Sequence, residues 1–278
     1  MAALASLLMT AAIPTRDATA SDRGGRIELT TTATLYGVGL GVWSSMEGDL
    51  KPRPAAWLTA ALGGGMLYGS YKLTDHLQLN TANVRYIEAA GAWTAVNGVL
   101  VASMTDTNGS YLVAVGFGTA AAGAGMALAT YPYVGASAGQ MSLVNSGGIW
   151  GPAAGLLLGI TFHLGDGKHL ARDLMILNLL GLGGAVALSQ RYDPTRDQVL
   201  YLDGGLLLGG LCGGLVGTLF AVSVDSYEPA TAGVLLGMGV GGLLAIRSNG
   251  FDRAKSGGRA TERAEQALAI VPLAAGSF

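Results

Sequence analysis

The chain has 278 residues, of which 50% are hydrophobic and 12% charged, and its mean hydropathy is +0.45. Because an average soluble domain carries about 25% charged residues, this composition favours an integral membrane protein. The net charge of −2 gives no electrostatic basis for nucleic-acid binding, and the single cysteine, Cys212, excludes an internal disulfide framework.

The first twenty residues have features of an export signal. Residues 2–13 are apolar, and Ala18-Thr19-Ala20 offers a small-x-small cleavage site. The segment before the apolar run has no Lys or Arg, which a signal peptide normally carries. We therefore keep two interpretations of residues 1–20, an export signal and an uncleaved apolar segment.

Eight apolar segments follow, and charges gather between them. A membrane helix needs about 20 residues, and segments three to seven reach that length, whereas four threonines dilute the first. The sequence predicts an all-α membrane protein with eight transmembrane helices in a membrane domain at 21–249, and a polar C-terminal tail at 250–278. The segments are 29–46, 55–71, 82–104, 110–130, 138–162, 171–189, 197–223 and 230–247.

Small residues recur at steps of four on the odd-numbered segments. A step of four follows one face of a helix, and small faces of this kind let membrane helices pack closely. The pattern predicts four repeated α-hairpins at 29–71, 82–130, 138–189 and 197–247, whose glycines are helix-packing residues. The four registers follow one another at a nearly constant spacing and are Ala33, Gly37, Gly41 and Ser45; Ala90, Thr94, Gly98 and Ala102; Gly147, Gly151, Gly155 and Gly159; and Gly205, Gly209, Gly213 and Gly217.

The even-numbered segments show a second recurrence of glycine. It consists of Gly65, Gly125, Gly184 and Gly242, again at a nearly constant spacing. A two-helix unit of about 58 residues, within the range of known structural repeats, predicts parallel repeats, because each hairpin returns the chain to the same side. A single hairpin cannot bury its small face alone, so we expect the hairpins to stack on each other.

One position of the repeat is polar in every copy: Thr31, Glu88, Asn145 and Asp203 lie two residues before the small registers. Two interpretations are open. An ionisable group inside a membrane helix indicates a functional site, and the four residues would form a ring and an ion path if the hairpins closed around an axis. Alternatively they hydrogen-bond to neighbouring helices, and Glu88 pairs with Arg85 on its own helix.

The charge distribution and the export-like start predict different topologies. Eight spans place both termini on one side, where eleven Lys and Arg residues lie, against four on the other side. The positive-inside rule then places both termini in the cytoplasm, whereas a cleaved signal would place the N-terminus outside. We favour the inner membrane of a bacterial-type envelope, with the outer membrane as the alternative.

The sequence lacks the residue sets of known catalytic sites. His76, His163 and His169 share no metal-ligand spacing, and no nucleophile motif or nucleotide fingerprint occurs. We therefore expect no enzyme, cofactor or metal. The sequence favours a structural or assembly subunit, with the lipid bilayer, other membrane subunits or further copies as partners; the alternative is a small proton or cation channel or transporter. An outer-membrane β-barrel is disfavoured by the step of four.

Overall fold

The computed structural model describes residues 23–105, 108–162, 168–224 and 226–249. These residues form helices and no strand, which confirms the predicted all-helical class. The segments predicted at 1–20 and 250–278 lie outside the described residues. The elements are α1 Arg23–Glu47, α2 Pro52–Leu77, α3 Thr81–Ser103, α4 Gly109–Thr130, a 3₁₀ turn Tyr131–Tyr133, α5 Ala138–Phe162, α6 Lys168–Arg191, α7 Arg196–Val224 and α8 Glu228–Asn249.

Five of these helices, α4 to α8, are long and apolar enough to cross a membrane, as judged by length and composition. The first three helices are more polar. For α3 this differs from the expectation that its segment spans well, because Glu88 and Asn97 lower its average apolarity. Both residues contact other helices of the protein. The outer surface of α3 is therefore more apolar than the average over all its residues.

The helices of the first hairpin are longer than predicted. The first predicted segment begins at residue 29 and the second ends at residue 71, whereas α1 begins at Arg23 and α2 continues to Leu77. The additional turns are polar and lie side by side, where Arg26 forms a 2.9 Å ion pair with Asp75. Prediction from apolar content alone misses such turns.

Helices α3, α5 and α7 each begin with a side-chain cap. The Ser137 hydroxyl accepts a bond from the Gln140 backbone N–H at 3.1 Å, while the Ser137 N–H donates to the Gln140 side chain at 2.9 Å. Thr195 and Gln198 make the same reciprocal pair, and Asn80 caps α3. Such capping satisfies backbone N–H groups that lack a partner inside the helix.

The helices pack most extensively in consecutive pairs: α1–α2 (hairpin 1), α3–α4 (hairpin 2), α5–α6 (hairpin 3) and α7–α8 (hairpin 4). The backbones approach most closely in hairpin 4, where a Cβ added to Gly209 would overlap the carbonyl oxygen of Gly237, and one added to Gly237 would overlap that of Gly209. The contact requires glycine on both helices. Glycines of the other odd-numbered helices also face the partner helix of their own hairpin; they are Gly37, Gly41, Gly98, Gly147, Gly151, Gly155 and Gly159.

The recurring glycines of the even-numbered helices differ in their surroundings. A Cβ added to Gly65, Gly125 or Gly184 would meet no described atom within 4 Å, whereas one added to the buried Gly242 would lie 2.9 Å from the Leu206 side chain of α7. The residues that face Gly37, Thr94, Gly151 and Gly209 define the register instead. They are Leu62, Thr119, Leu177 and Gly237, which also recur at a nearly constant spacing.

The four hairpins follow one another in a row. Each odd-numbered helix contacts the next one, through the pairs α1–α3, α3–α5 and α5–α7, and also the even-numbered helix of the following hairpin. Within the described residues, hairpins 1 and 4 have no extensive contact. The row therefore has two ends, and one face of each end hairpin has no neighbour among the described residues.

Replacing Gly209 by Ala should destabilise the protein, because the new methyl group would overlap the Gly237 carbonyl. We expect a loss of about 1–3 kcal/mol in the free energy of unfolding, measured by thermal or denaturant unfolding in detergent. Gly204→Ala is the matched control on the same helix, where a Cβ meets nothing within 4 Å. Equal stability of the two variants would show that the α7–α8 contact is looser than described.

Candidate functional site

The polar residues of the odd-numbered helices lie between hairpins. Asp203 on α7 accepts two hydrogen bonds from α5, one from the Ser146 hydroxyl at 2.5 Å and one from the Trp150 indole N–H at 2.8 Å. The sequence offered no partner for Asp203. The partners precede it by 57 and 53 positions and belong to the preceding hairpin.

Asn145 repeats this arrangement one hairpin earlier. Its side-chain oxygen accepts a 2.9 Å bond from the indole N–H of Trp93 on α3. Trp93 and Trp150 occupy the same place in the repeat, each three positions after the first residue of its small register. The Trp93 ring also lies against Gly148, where an added Cβ would overlap it. Both tryptophans thus donate to the next hairpin.

Glu88 lies at the first interface, between hairpins 1 and 2, and is less fully paired. The Thr32 side chain on α1 lies near its carboxylate, but no described residue forms a hydrogen bond with the buried Oε1 atom. Tyr36, which stands where Trp93 and Trp150 stand in later hairpins, donates instead to the Phe117 carbonyl at 2.6 Å. Thr31, the fourth residue of the predicted set, is exposed on hairpin 1, which no described hairpin precedes.

Arg85 links three hairpins rather than pairing mainly with Glu88 on its own helix. Its guanidinium donates to Glu28 of α1 at 3.2 Å and to Ser142 of α5 at 3.3 Å. Both partners lie 57 positions from Arg85, one on each side of it in the sequence. This distance equals the repeat length, so the repeat could have predicted both partners of Arg85 from the sequence. In-register pairs of this kind also show that α1, α3 and α5 run parallel.

A proline explains a further polar contact. Pro152 lies inside α5, and because it has no N–H it leaves the carbonyl of Gly148 without its helical donor. The fully buried Asn178 of α6 supplies that donor at 2.9 Å and accepts a 2.8 Å bond from Asn97 of α3. The carbonyl freed by the proline is thus satisfied within hairpin 3, by the same Asn178 side chain that accepts a bond from hairpin 2.

The polar side chains are distributed over three successive interfaces. Because hairpins 1 and 4 do not meet, the described chain does not bring Thr31, Glu88, Asn145 and Asp203 around one axis. The described residues also contain no cluster of three His, Cys, Asp or Glu side chains suited to a metal ion. Chemically, Asn145 and Asp203 accept hydrogen bonds from neighbouring helices, and among the described residues Glu88 has a buried carboxylate oxygen that could accept another.

Comparison of the chain with protein-family models, curated proteins and solved structures gave no match. The function is therefore inferred from the chain's own residues and their contacts.

Replacing Trp150 by Phe should destabilise the protein because Asp203 loses a donor. We expect about 1–3 kcal/mol for Trp150→Phe, and the double variant with Ser146→Ala should lose more than the sum, since the carboxylate is then left without these donors. Trp43→Phe is the matched control, because the Trp43 indole N–H is buried without a partner. Unfolding in detergent measures the wild type, the two single variants, the double variant and Trp43→Phe, and an equal loss for Trp43→Phe would contradict the assignment.

A double-mutant cycle tests the role of Pro152. Asn178→Leu should destabilise the wild type strongly, because the Gly148 carbonyl loses its only described donor. In a Pro152→Ala background the restored backbone N–H satisfies that carbonyl, so the same substitution should cost at least about 1 kcal/mol less. Additive effects on the free energy of unfolding would show that Asn178 does not act through the freed carbonyl.

Proposed function

We propose that the protein is a structural or assembly subunit of a membrane complex in a bacterial-type envelope. The observation that carries this proposal is the use of its intramembrane polar groups. Asn145, Asp203 and Arg85 all bond to neighbouring hairpins, which is how polar side chains act as adhesive between membrane helices. Side chains engaged in this way hold helices together and leave little chemistry for a substrate.

Eight spans, rather than five, fit the parallel arrangement. Glu28, Arg85 and Ser142 lie at one level on α1, α3 and α5, and α5 is one of the helices apolar enough to cross a membrane. Helices in register with α5 share its depth. Their polar residues do not oppose this, because Arg85 and Asn97 are buried against other helices rather than exposed.

The outer surface supports a location in lipid. Side chains exposed by more than half include large apolar residues on both helices of hairpin 4, and a soluble protein rarely exposes a contiguous apolar surface of this kind. They include Leu208, Leu211, Leu215, Leu219, Phe220, Val222, Leu236, Leu243 and Leu244. The excess of Lys and Arg on the side of both termini favours the inner membrane with the termini in the cytoplasm.

A proton or cation channel or transporter is the second candidate, and one observation favours it. The buried Oε1 atom of Glu88 has no hydrogen-bond partner among the described residues, and an unpaired carboxylate oxygen inside a membrane protein is a potential ion or proton site. Asp203 differs, because two donors from α5 bond to its Oδ1 and neither of its oxygens is among the buried unpaired side-chain atoms of the described residues.

Reconstitution into liposomes separates the two candidates. A structural subunit should give no proton or cation flux above empty liposomes, and in mild detergent it should be isolated as a defined oligomer or with partner subunits. The Glu88→Gln and Asp203→Asn variants form a matched pair, since each neutralises one acid. A monomer whose robust flux is lost in Glu88→Gln and kept in Asp203→Asn would overturn the structural proposal in favour of transport.

A further inference from the structure

Hairpin 1 carries an open apolar groove at one end of the row. The groove has a volume of about 740 Å³ and lies along the faces of α1 and α2. At the interface between hairpins 2 and 3, by contrast, the remaining space is only about 60 Å³. The lining includes Thr34 of α1 and Ala56, Gly63 and Gly64 of α2.

This groove is the counterpart of a face that is covered in hairpin 3. In the packing register, Thr34 is equivalent to Gly148 and Gly63 to Asn178. On hairpin 3 these two positions contact the preceding α3: Gly148 lies against Trp93, and Asn178 bonds to Asn97. The groove is therefore the docking face of the repeat on the one hairpin that has no predecessor among the described residues.

Hairpin 4 presents the complementary face at the other end. Leu208 and Cys212 of α7 are equivalent to Trp93 and Asn97 of α3, and both are exposed. Leu219 is equivalent to Thr161, which bonds to Thr231 of the next hairpin at 2.7 Å, and it is 76% exposed. The residues that dock onto a following hairpin elsewhere are thus exposed and apolar on α7.

We propose that copies of this protein associate head to tail, with α7 of one copy seated in the hairpin 1 groove of the next. Transfer of the contacts between hairpins predicts that Leu208 meets Thr34, Cys212 meets Gly63, and Leu219 meets Ala56. The inference rests on the proposed role as a membrane subunit and names its partner as a second copy.

The two end faces match in polarity as well as in position. At internal interfaces an acceptor such as Asn145 or Asp203 meets an indole donor. At the ends both members of the pair are replaced, because the acceptor position is Thr31 and the donor position is Leu208. Docking would consequently bury no unsatisfied carboxylate or indole N–H at this pair of positions.

The orientation of the hairpins permits the association within one bilayer. Successive odd-numbered helices run parallel and in register, as the hydrogen-bonded pairs 57 positions apart show. A second copy added along the same row therefore keeps the same orientation across the membrane. Such a contact uses different surfaces on the two partners and extends into chains or rings instead of stopping at a dimer.

Thiol cross-linking in the membrane tests this proposal with the native Cys212. Gly64→Cys places a thiol in the groove beside Gly63, and Gly65→Cys is the matched control one residue away and outside the groove; neither added side chain meets an atom within 4 Å. After treatment with copper phenanthroline or a short bismaleimide, Gly64→Cys should yield several-fold more dimer than Gly65→Cys, together with a ladder of larger species. Wild type and Gly64→Cys/Cys212→Ser should stay monomeric on a denaturing gel.

Other outcomes overturn the proposal. A wild-type dimer through Cys212, or a dimer of Gly64→Cys/Cys212→Ser, indicates a symmetric contact. A Gly64→Cys chain that remains monomeric shows that lipid, residues 2–13 or nothing fills the groove, and a cross-link to another protein shows a different partner. The last result leaves the proposed subunit function intact, whereas release of the protein from membranes by alkaline carbonate would contradict that function itself.

Discussion

Close contact between helix backbones is the interaction on which the rest of this structure depends. In hydrocarbon, apolar side chains gain nothing by leaving lipid for protein, so helices associate through dispersion contacts and hydrogen bonds. Glycine allows both backbones to approach, and hairpin 4 shows the limit, with Gly209 and Gly237 each occupying space that any Cβ of the other would need. The same residues would make poor helices in water. A glycine content of 45 in 278 residues is consequently compatible with this fold only where the surroundings keep the helices formed.

The distribution of polarity follows from the same constraint. The interior combines apolar side chains such as Leu79 and Leu182 with polar ones such as Thr74, Asn178 and Ser189, all almost fully buried, and many further leucines and aromatic residues cover the outside. Each buried polar group needs a partner because there is no water to replace it. The hairpins supply these partners to each other, and at Pro152 the Asn178 side chain that satisfies the freed carbonyl also accepts a bond from hairpin 2. Hydrogen bonding thus sets the register between hairpins, and glycine contacts set the distance within them.

The sequence predicted the helical class, and the step of four on the odd-numbered helices could be recognised because it is a local property of each helix. On the even-numbered helices regular spacing does not by itself identify the packed face, because glycines on open surface, such as Gly125 and Gly184, are as regularly spaced as those in contact. The polar repeat position that Glu88, Asn145 and Asp203 occupy could also be recognised in the sequence. Their donors were not, since Ser146 and Trp150 become neighbours of Asp203 only when α5 is known to lie beside α7 in register.

One position of the repeat changes its residue type from hairpin to hairpin, and this change explains why polar pairing between hairpins stops at the fourth. The position that donates to the next hairpin is Tyr36, Trp93, Trp150 and then Leu208. After the fourth hairpin no indole remains for another acceptor to meet, so a further hairpin of the same kind would bury a polar side chain without a donor. The position that accepts from the preceding hairpin changes from a hydroxyl, Thr31, in hairpin 1 to a carboxylate, Asp203, in hairpin 4. Polar pairing is therefore confined to the interior of the row, and the two ends are left with surfaces that only apolar groups can cover.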